Sequence, residues 1–333
     1  MEISKPLYIS VIIVNYNTRE LTLACLASLY SYTEGVSFEV IVVDNASNDG
    51  SGEAIRKHFP QTKLIINSEN LGFGVANNIG IQHSRGKYIF MLNSDTLLKN
   101  NALKIFYDFM EAHPEIGACG GWLKDTQGKT IHSYGRFPYL GWQVPEILRD
   151  GFLLTLELPF LRWLKKLRKQ KKNSINVNTT EETTEIYPVD YIVGADFFVR
   201  KSVLDQVGLF DPYFFLYFEE TDLQYRMAQK NIPRVLIKEP FVVHLEGQSS
   251  SPKSMRSYTL SKVSALRFYR KHYGFLRSAV LWVVYILVAG WIFFINLFVK
   301  RYSIKETWLH GLSMLTVDYA WVLPFLKKKR GEK

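Results

Sequence analysis

Asp95 belongs to the first of three sets of side chains in this chain whose types and spacing could bind a metal ion or move a proton. It follows the apolar run Tyr88–Leu92 in the sequence Asn93-Ser94-Asp95-Thr96, so we predict it at the end of a buried strand. A carboxylate in that place can hold Mg²⁺ or Mn²⁺ against a diphosphate, because both cations prefer oxygen ligands and need only one or two protein carboxylates. The alternative is that Asp95 caps a helix beginning near Asn101.

The other two sets are a cluster of carboxylates and a histidine. Glu219, Glu220 and Asp222 lie within four residues at the start of a predicted helix. Their repulsion, offset in part by the helix dipole, raises the pKa of one carboxyl, which suits a group that accepts a proton. A solvent-exposed acidic helix start is the alternative. His244 ends an apolar run just before a glycine turn, which makes it a better metal-ligand candidate than most lone histidines.

Alternating strands and helices are predicted to carry these side chains. Four apolar runs, each bounded by turn or helix signals, occupy residues 9–15, 38–43, 64–66 and 88–92. This alternation predicts an α/β fold with a parallel sheet, which binds ligands at the carboxyl edge of its strands. Asp44 and Asp95 both fall at that edge. The glycines around Gly72 lack the spacing of a dinucleotide fingerprint, so a nicotinamide cofactor is not favoured.

The composition indicates a globular chain with a basic, apolar carboxyl-terminal part. Of 333 residues 47% are hydrophobic and 22% charged, and the net charge is +10. That length predicts one large domain with appendages, or two domains. The basic clusters at 162–172, 262–277 and 327–330 lie beside the most apolar segments, which favours an anionic membrane surface as partner. No recognisable nucleic-acid motif accompanies them, so we expect no nucleic-acid partner.

Residues 278–299 carry no charge over about 22 positions, enough to span a hydrocarbon core of about 30 Å. A second apolar stretch at 308–326 contains His310 and Asp318, which argues against a full second span, so a hairpin or re-entrant element is expected. A buried core helix pair is the alternative. We therefore predict a catalytic domain at 1–274, with a basic and polar insertion at 150–186, and membrane-associated helices at 275–333.

Six sequence motifs in this order resemble the family 2 glycosyltransferases of the GT-A fold, most closely the bacterial rhamnosyltransferase-like branch. They are VIIVNYN, VVDNASNDGS, NLGFGVANNIG, LNSDT, VGADFFVRKSVLDQVGLFDPYFFLYFEETDL and VVHLEGQSS. The resemblance runs from about Ile9 to Gly274. It implies a nucleotide-diphospho-sugar transferase domain with a Rossmann-like α/β architecture, followed here by the membrane-associated segment.

The resemblance also implies roles for individual residues. Asp95 and His244 would be the ligands of a divalent cation, with Asn93 in place of the first carboxylate of an Asp-x-Asp motif. Glu220 would be the general base, and Glu219 and Asp222 remain alternatives for that role. The nucleotide and donor sugar would be bound by a larger set: Asn15, Tyr16, Asp44, Asn77, Asn93, Asp95, Gly194, Ala195 and Asp196.

The function expected from this resemblance, together with the apolar carboxyl-terminal segment, is a membrane-associated, inverting, metal-dependent hexosyltransferase of cell-surface polysaccharide synthesis. Its donor would be a nucleotide-diphosphate sugar, rhamnose by analogy alone. The acceptor would be a saccharide or an undecaprenyl-diphosphate-linked saccharide at the cytoplasmic face of the inner (plasma) membrane. Two alternatives stay open: a polyprenyl-phosphate glycosyltransferase, and a catalytically silent protein that binds sugar nucleotides or acts as a scaffold.

Overall fold

The computed structural model describes residues 7–155, 185–245 and 255–299. The predictions for most of the 150–186 insertion, for the glycine turn after His244 and for the second apolar stretch at 308–326 fall outside these residues. The chain divides into two compact units, one of Met1–Phe137 with Val177–Ser250 and one of Pro138–Asn176 with Ser251–Lys333. The predicted domain boundary at 274 stays a prediction.

The first unit is built on an eight-stranded sheet in the order β3-β2-β1-β4-β10-β6-β11-β8. Its strands are β1 Ile9–Asn15, β2 Phe38–Asp44, β3 Lys63–Ile66, β4 Tyr88–Leu92, β6 Ala118–Gly121, β8 Ile186–Pro188, β10 Asp196–Arg200 and β11 Arg234–Ile237. Two small sheets join it, one pairing β5 Thr96–Leu98 with β12 Val242–His244, the other β7 Tyr134–Gly135 with β9 Tyr191–Ile192. The helices are α1 Arg19–Tyr32, α2 Ser51–His58, α3 Phe73–Gln82, α4 Ala102–Ala112, α6 Lys201–Val207 and α7 Glu219–Gln229.

The sheet is mixed, so the prediction of a parallel sheet is right for β1 to β4 and for the pair β6 and β11, but wrong for β10 and β8. Strands β1 to β4 are parallel to their neighbours, as the strand-helix alternation up to residue 92 requires. Strand β10 then enters antiparallel between β4 and β6, with Asp196 opposite Leu92. Strand β10 reaches the sheet from more than a hundred residues after β4. Periodicity could not reveal that pairing.

The core lies on both faces of the central strands. Every residue of β4 is buried, and Phe90, Phe106 and Phe198 pack with ring centroids 5.4 to 5.7 Å apart. Helix α3 approaches β1 closely because residue 80 is glycine: a Cβ there would lie 2.5 Å from Ile12 Cγ2. These contacts fix the strand ends that carry the predicted site.

The second unit contains α5 Leu140–Thr155 and α8 Met255–Val299, which pack together. Helix α8 is interrupted at Gly274, whose φ is 84°, and folds back on itself there. Ser278 Oγ donates a hydrogen bond to the Leu266 carbonyl at 3.3 Å, and Lys262 Nζ lies 5.5 Å from the centre of the Tyr285 ring. We call residues 255–273 the first arm and residues 275–299 the second arm of this antiparallel hairpin.

By length and composition, Ser257–Ile295 in α8 is the only helix in the described parts of the chain that could cross a membrane. That stretch includes the turn at Gly274, so the second arm is its apolar portion.

Candidate active site

The carboxyl ends of β1 and β2 meet at Asn15 and Asp44, which are opposite one another in the parallel register. Asn15 Nδ2 donates to Asp44 Oδ1 at 3.0 Å and to Ser47 Oγ at 2.9 Å, and both residues are buried. Tyr16, the next residue, is 45% exposed. The structure therefore brings together three of the predicted nucleotide-binding residues at one edge of the sheet.

Asp95 and His244 also meet. Strand β12 pairs antiparallel with β5, and this register brings His244 opposite Thr96. His244 Nε2 lies 3.2 Å from Asp95 Oδ1, and only 1% of Asp95 is exposed. Helix α4 begins after Asn101 and has no side-chain cap, so the alternative that Asp95 caps it is wrong. A strand, β5, follows Asp95 directly.

The pair fits a divalent cation by the chemistry of its donors. A carboxylate with an imidazole suits Mn²⁺, with the remaining positions left to phosphate or water oxygens. His244 Nδ1 is buried without a hydrogen-bond partner among the described residues. In the described ranges no group of three His, Cys, Asp or Glu side chains could hold a metal ion, so a cation here would need oxygens from a bound substrate.

Asn93 links this pair to the start of β10. Its backbone N–H donates to the Ala195 carbonyl at 3.0 Å, and its own carbonyl accepts from Thr96 N at 3.2 Å. Gly194 precedes Ala195, and a Cβ built on Gly194 would lie 3.6 Å from the Phe73 ring and 3.9 Å from Glu220 Cβ. The predicted donor-pocket residues 194 and 195 thus connect the Asp95 region with Glu220.

Glu219 and Glu220 open α7 from a strained backbone. Tyr217 and Phe218, just before the helix, have φ values of 66° and 69°, a left-handed conformation that is costly for bulky side chains. Glu219 is 3% exposed and Glu220 is half-buried, so the alternative of a solvent-exposed acidic turn is wrong.

The two glutamates differ in direction and in electrostatics. The two Cβ atoms lie near different glycines: a Cβ on residue 74 would be 3.4 Å from Glu219 Cβ, and a Cβ on residue 194 would be 3.9 Å from Glu220 Cβ. Burial, and then the charge of Glu220, raises the pKa of Glu219 well above its usual range. Burial also raises the pKa of Glu220. A raised pKa makes each carboxylate a stronger base than an ordinary glutamate.

Asp222 has a structural contact that the sequence did not reveal. Its side chain is fully buried, and its Oδ2 accepts a hydrogen bond from Arg226 Nε at 3.0 Å. Arg226 also donates to the backbone carbonyls of Val207 and Leu209, at the end of α6. Asp222 therefore helps to fasten α7 to the segment before it.

Two more predicted donor-binding residues make backbone contacts. Asn77 is buried and donates from Nδ2 to the Phe73 carbonyl of its own helix at 3.0 Å. Asp196 is fully buried, and its Oδ2 accepts from the Gly121 backbone N–H of β6 at 2.7 Å. Burial raises the pKa of Asp196 well above its usual range. Their predicted contacts with a nucleotide sugar stay predictions.

The sequence reasoning missed two residues beside Glu220. Tyr191 has a side-chain hydrogen bond with Thr221, and burial, then the charge of Glu220, raises its pKa to about 12. Gln224 is fully buried and clamps α7 to β9 through two hydrogen bonds of 2.8 Å with the N–H and carbonyl of Ile192. A glutamine on the same helix as the acidic cluster was visible in the sequence, but no local signal pointed to its partner.

Comparison with sequence families and curated proteins gives consistent matches. The model of the family described as Glycosyl transferase family 2 matches residues 10–207. N-acetylglucosaminyl-diphospho-decaprenol L-rhamnosyltransferase of Mycobacterium tuberculosis is 25% identical over 273 residues, covering 78% of this chain and 83% of the relative. The low-salt glycan biosynthesis hexosyltransferase Agl10 of Haloferax volcanii is 26% identical over 235 residues, covering 67% and 62%.

Two solved structures share the fold. The mannosyltransferase PcManGT of Pyrobaculum calidifontis, in complex with GDP-Man and Mn²⁺, matches with a TM-score of 0.54 at 13% identity, covering 98% of this chain and 89% of that one. GalNAc-T7 with UDP, GalNAc and Mn²⁺ matches with a TM-score of 0.51 at 18% identity, covering 80% of this chain and half of that one. These likenesses confirm the predicted GT-A architecture.

Proposed function

The chain belongs to glycosyl transferase family 2, and we propose that it moves a hexosyl group from a nucleoside-diphosphate sugar to a saccharide hydroxyl with inversion. One observation carries the proposal. Glu220, with its raised pKa, lies beside Gly194, and the next residue, Ala195, accepts a backbone hydrogen bond from Asn93, two positions before Asp95. A proton acceptor and a cation-binding pair are thus linked across the carboxyl edge of the sheet, where such folds bind ligands.

The cation would be held by Asp95 and His244. When bound, it supplies Lewis-acid neutralisation of the charge that develops on the diphosphate leaving group. The Mn²⁺ in the two structures with the same fold supports this assignment. Asp44 and Asn15, fixed to each other at the neighbouring strand ends, would bind the nucleoside.

Glu220 would then perform the proton transfer. The acceptor hydroxyl gives its proton to the Glu220 carboxylate while its oxygen forms a bond to the anomeric carbon. The bond from that carbon to the diphosphate oxygen breaks as the new one forms, so one displacement inverts the anomeric centre. Glu219 lies buried beside it, and burial and the charge of Glu220 both raise its pKa and oppose its ionisation.

A hydroxyl acceptor explains the glutamate pair better than a phosphate acceptor does. A polyprenyl phosphate is already anionic and needs no strong base, so that alternative leaves the raised pKa of Glu220 without a use. The M. tuberculosis relative is named for a lipid-linked sugar acceptor and for L-rhamnose. By analogy, the acceptor here would be a lipid-linked saccharide of cell-surface polysaccharide synthesis, and the protein would work at the cytoplasmic face of the inner membrane.

The test is a thermal-stability screen of the full chain in detergent, with UDP-, GDP- and dTDP-sugars and with or without Mn²⁺ or Mg²⁺. We expect one donor to raise the Tm only when the cation is present. Asp95→Asn should abolish that rise, whereas Asp108→Asn, an exposed residue paired with Lys104 on α4, should keep it.

Product analysis completes the test. The stabilising donor, supplied with a lipid-linked saccharide, should give a glycoside of opposite anomeric configuration by NMR. Stabilisation that needs no cation would refute the Asp95 and His244 assignment. Binding without any turnover would favour the silent sugar-nucleotide binder, and retention of configuration would refute the single displacement.

A further inference from the structure

The second arm of α8 exposes a continuous apolar face, which we call the apolar stripe. Its members are 45 to 79% exposed and recur at helical spacing: Leu276, Val280, Val283, Leu287, Phe294 and Leu297. Their positions, three, four or seven residues apart, lie along one side of the helix. A solvent-facing apolar face of this length marks a surface that binds something apolar.

The first arm covers the opposite side of the second arm. Ser278 and Tyr285, which contact the first arm, are each rotated by about half a turn from the centre of the stripe at 100° per residue. Both are buried. The second arm therefore has one side packed within its own unit and the other side open.

The charge of α8 selects the class of partner. Between residues 255 and 299 there is no Asp or Glu, while the basic residues are Arg256, Lys262, Arg267, Arg270, Lys271 and Arg277. Lys271 and Arg277, on either side of the turn, are both exposed. An apolar stripe on a helix whose charged residues are all basic is the pattern of a helix bound to an anionic bilayer.

The antiparallel arms decide how the second arm meets that bilayer. If residues 275–299 spanned it, the first arm would lie alongside at membrane depth, with Lys262 against Tyr285 near the middle. A basic residue at that depth costs about 2.5–3.5 kcal/mol on insertion scales. We propose that the second arm instead lies in the plane of an anionic membrane surface, with the apolar stripe among the acyl chains and the first arm above it.

Two tryptophans fit this in-plane orientation. Trp282 and Trp291 lie within the arm instead of at its ends, where a spanning helix would have them. Both are half-buried, and on the helical wheel they flank the stripe on opposite sides. A helix parallel to the surface puts both rings at the headgroup level.

A second copy of the chain fits the stripe less well than lipid does. A zipper between helices in water has charged residues beside its apolar seam. Here the flanking positions Ala279, Val284, Ile286 and Phe293 are apolar. Apolar flanks of this kind are suited to contact with acyl chains. In a dimer surrounded by water, they would leave apolar side chains exposed along the edges of the interface.

The first experiment measures membrane binding, and it rests on the proposed membrane association but not on the sugar or the metal. Full-length protein is diluted from detergent onto vesicles of phosphatidylcholine alone, or with phosphatidylglycerol added. We expect binding to rise with the anionic lipid. Leu287→Glu should weaken it about tenfold, while Ile66→Glu, an equally drastic change at an exposed position on β3, should leave it unchanged.

The second experiment measures orientation in closed membrane vesicles with a maleimide that cannot cross the bilayer. Cys25 and Cys119 are buried and supply little background. Ser257→Cys, at the start of the first arm, and Lys271→Cys, beside the turn, should be labelled from the same side. Labelling from opposite sides would show a span and overturn the in-plane arrangement while keeping membrane association.

Other outcomes are also decisive. No binding to either vesicle would refute the bilayer as partner and leave the glycosyl-transfer proposal untouched. A lipid-free dimer that Leu287→Glu dissociates would assign the stripe to a second copy and overturn the inference.

Discussion

Two carboxylates two residues apart on α7, Glu220 and Asp222, should respond to neutralisation in opposite ways. Glu220→Gln removes the proposed proton acceptor, so kcat should fall by about 10²–10⁴, the usual range for general-base catalysis. The fold should not suffer. Burial raises the pKa of Glu220, so folding opposes its ionisation, and glutamine, which is neutral at every pH, avoids that cost. The Tm should stay the same or rise.

Asp222→Asn should instead destabilise the protein. Isolating one charge of a buried pair costs about 3–5 kcal/mol. In the variant, Arg226 keeps its hydrogen bonds to the carbonyls of Val207 and Leu209, and its side chain is 18% exposed. We therefore expect the free energy of unfolding to fall by about 2–3 kcal/mol, close to the loss of one charge-assisted hydrogen bond. In a unit of this size the Tm should drop by roughly 4–12 °C. The folded variant should keep its kcat within about threefold, since general-base losses are far larger.

The assay measures Tm and initial rates of both variants in the same detergent, with the donor identified by the stability screen. Glu53→Gln on α2 is the control, because this glutamate is exposed and lies on another helix. A stable Asp222→Asn that has lost turnover would give the base role to Asp222. Full activity in Glu220→Gln would refute the assignment of Glu220.

The pH dependence gives an independent check on the same pair. A base must be deprotonated, so the acid limb of kcat should lie above the ordinary glutamate pKa of 4.5. Stability runs the other way. A carboxyl whose pKa is raised in the folded state contributes its full stabilising free energy below its unfolded-state pKa. That contribution to stability is lost as the pH rises through the folded-state pKa. The Tm advantage of Glu220→Gln over wild type should therefore grow with pH across that window.

Three further predictions test the surrounding structure. Gly72→Ala should lower the free energy of unfolding by more than the about 1–2 kcal/mol that left-handed backbone strain costs, because its Cβ would overlap the Phe215 carbonyl. Gly128→Ala, at a φ of 79° with open space around it, should cost only that strain. Urea unfolding of the two variants makes the comparison. Gln224→Leu leaves two buried backbone groups unpaired and should cost about 2–6 kcal/mol, while the exposed Gln229→Leu should be neutral in the same assay. His244→Ala should weaken Mn²⁺ binding by calorimetry and leave metal-free stability nearly unchanged.

Local pattern was enough to predict the first half of the sheet. Residues 9–15 form β1 with the predicted bounds, and the end of β4 falls just before Asn93 as expected. A buried strand that ends in a polar tip is a short-range signal, so Asp44 and Asp95 could be placed at the carboxyl edge without knowing any pairing. The motif resemblance to a rhamnosyltransferase-like family is likewise confirmed by the family match and by the M. tuberculosis relative.

Long-range contacts were out of reach of the sequence. The clamp between Gln224 and Ile192 joins residues 32 positions apart, and Asp196 meets Gly121 across 75 positions. Nothing in the local sequence distinguishes Asp222, which is tied to Arg226, from Glu220, which is not. The resemblance could name three candidate bases, and only the packing of α7 gives them different surroundings.

That packing also argues against the alternative of a catalytically silent binder, which rests on Asn93 replacing the first carboxylate of the Asp-x-Asp motif. The structure uses the backbone of Asn93 to join β4 to β10, so an amide side chain there leaves the placement of Asp95 intact. The start of α7, by contrast, concentrates features that cost stability: two left-handed aromatic residues and a buried Glu219 whose Oε2 has no hydrogen-bond partner among the described residues. A protein that only binds its ligand gains nothing from such costs, whereas proton transfer at Glu220 requires a carboxyl held out of water with its pKa raised.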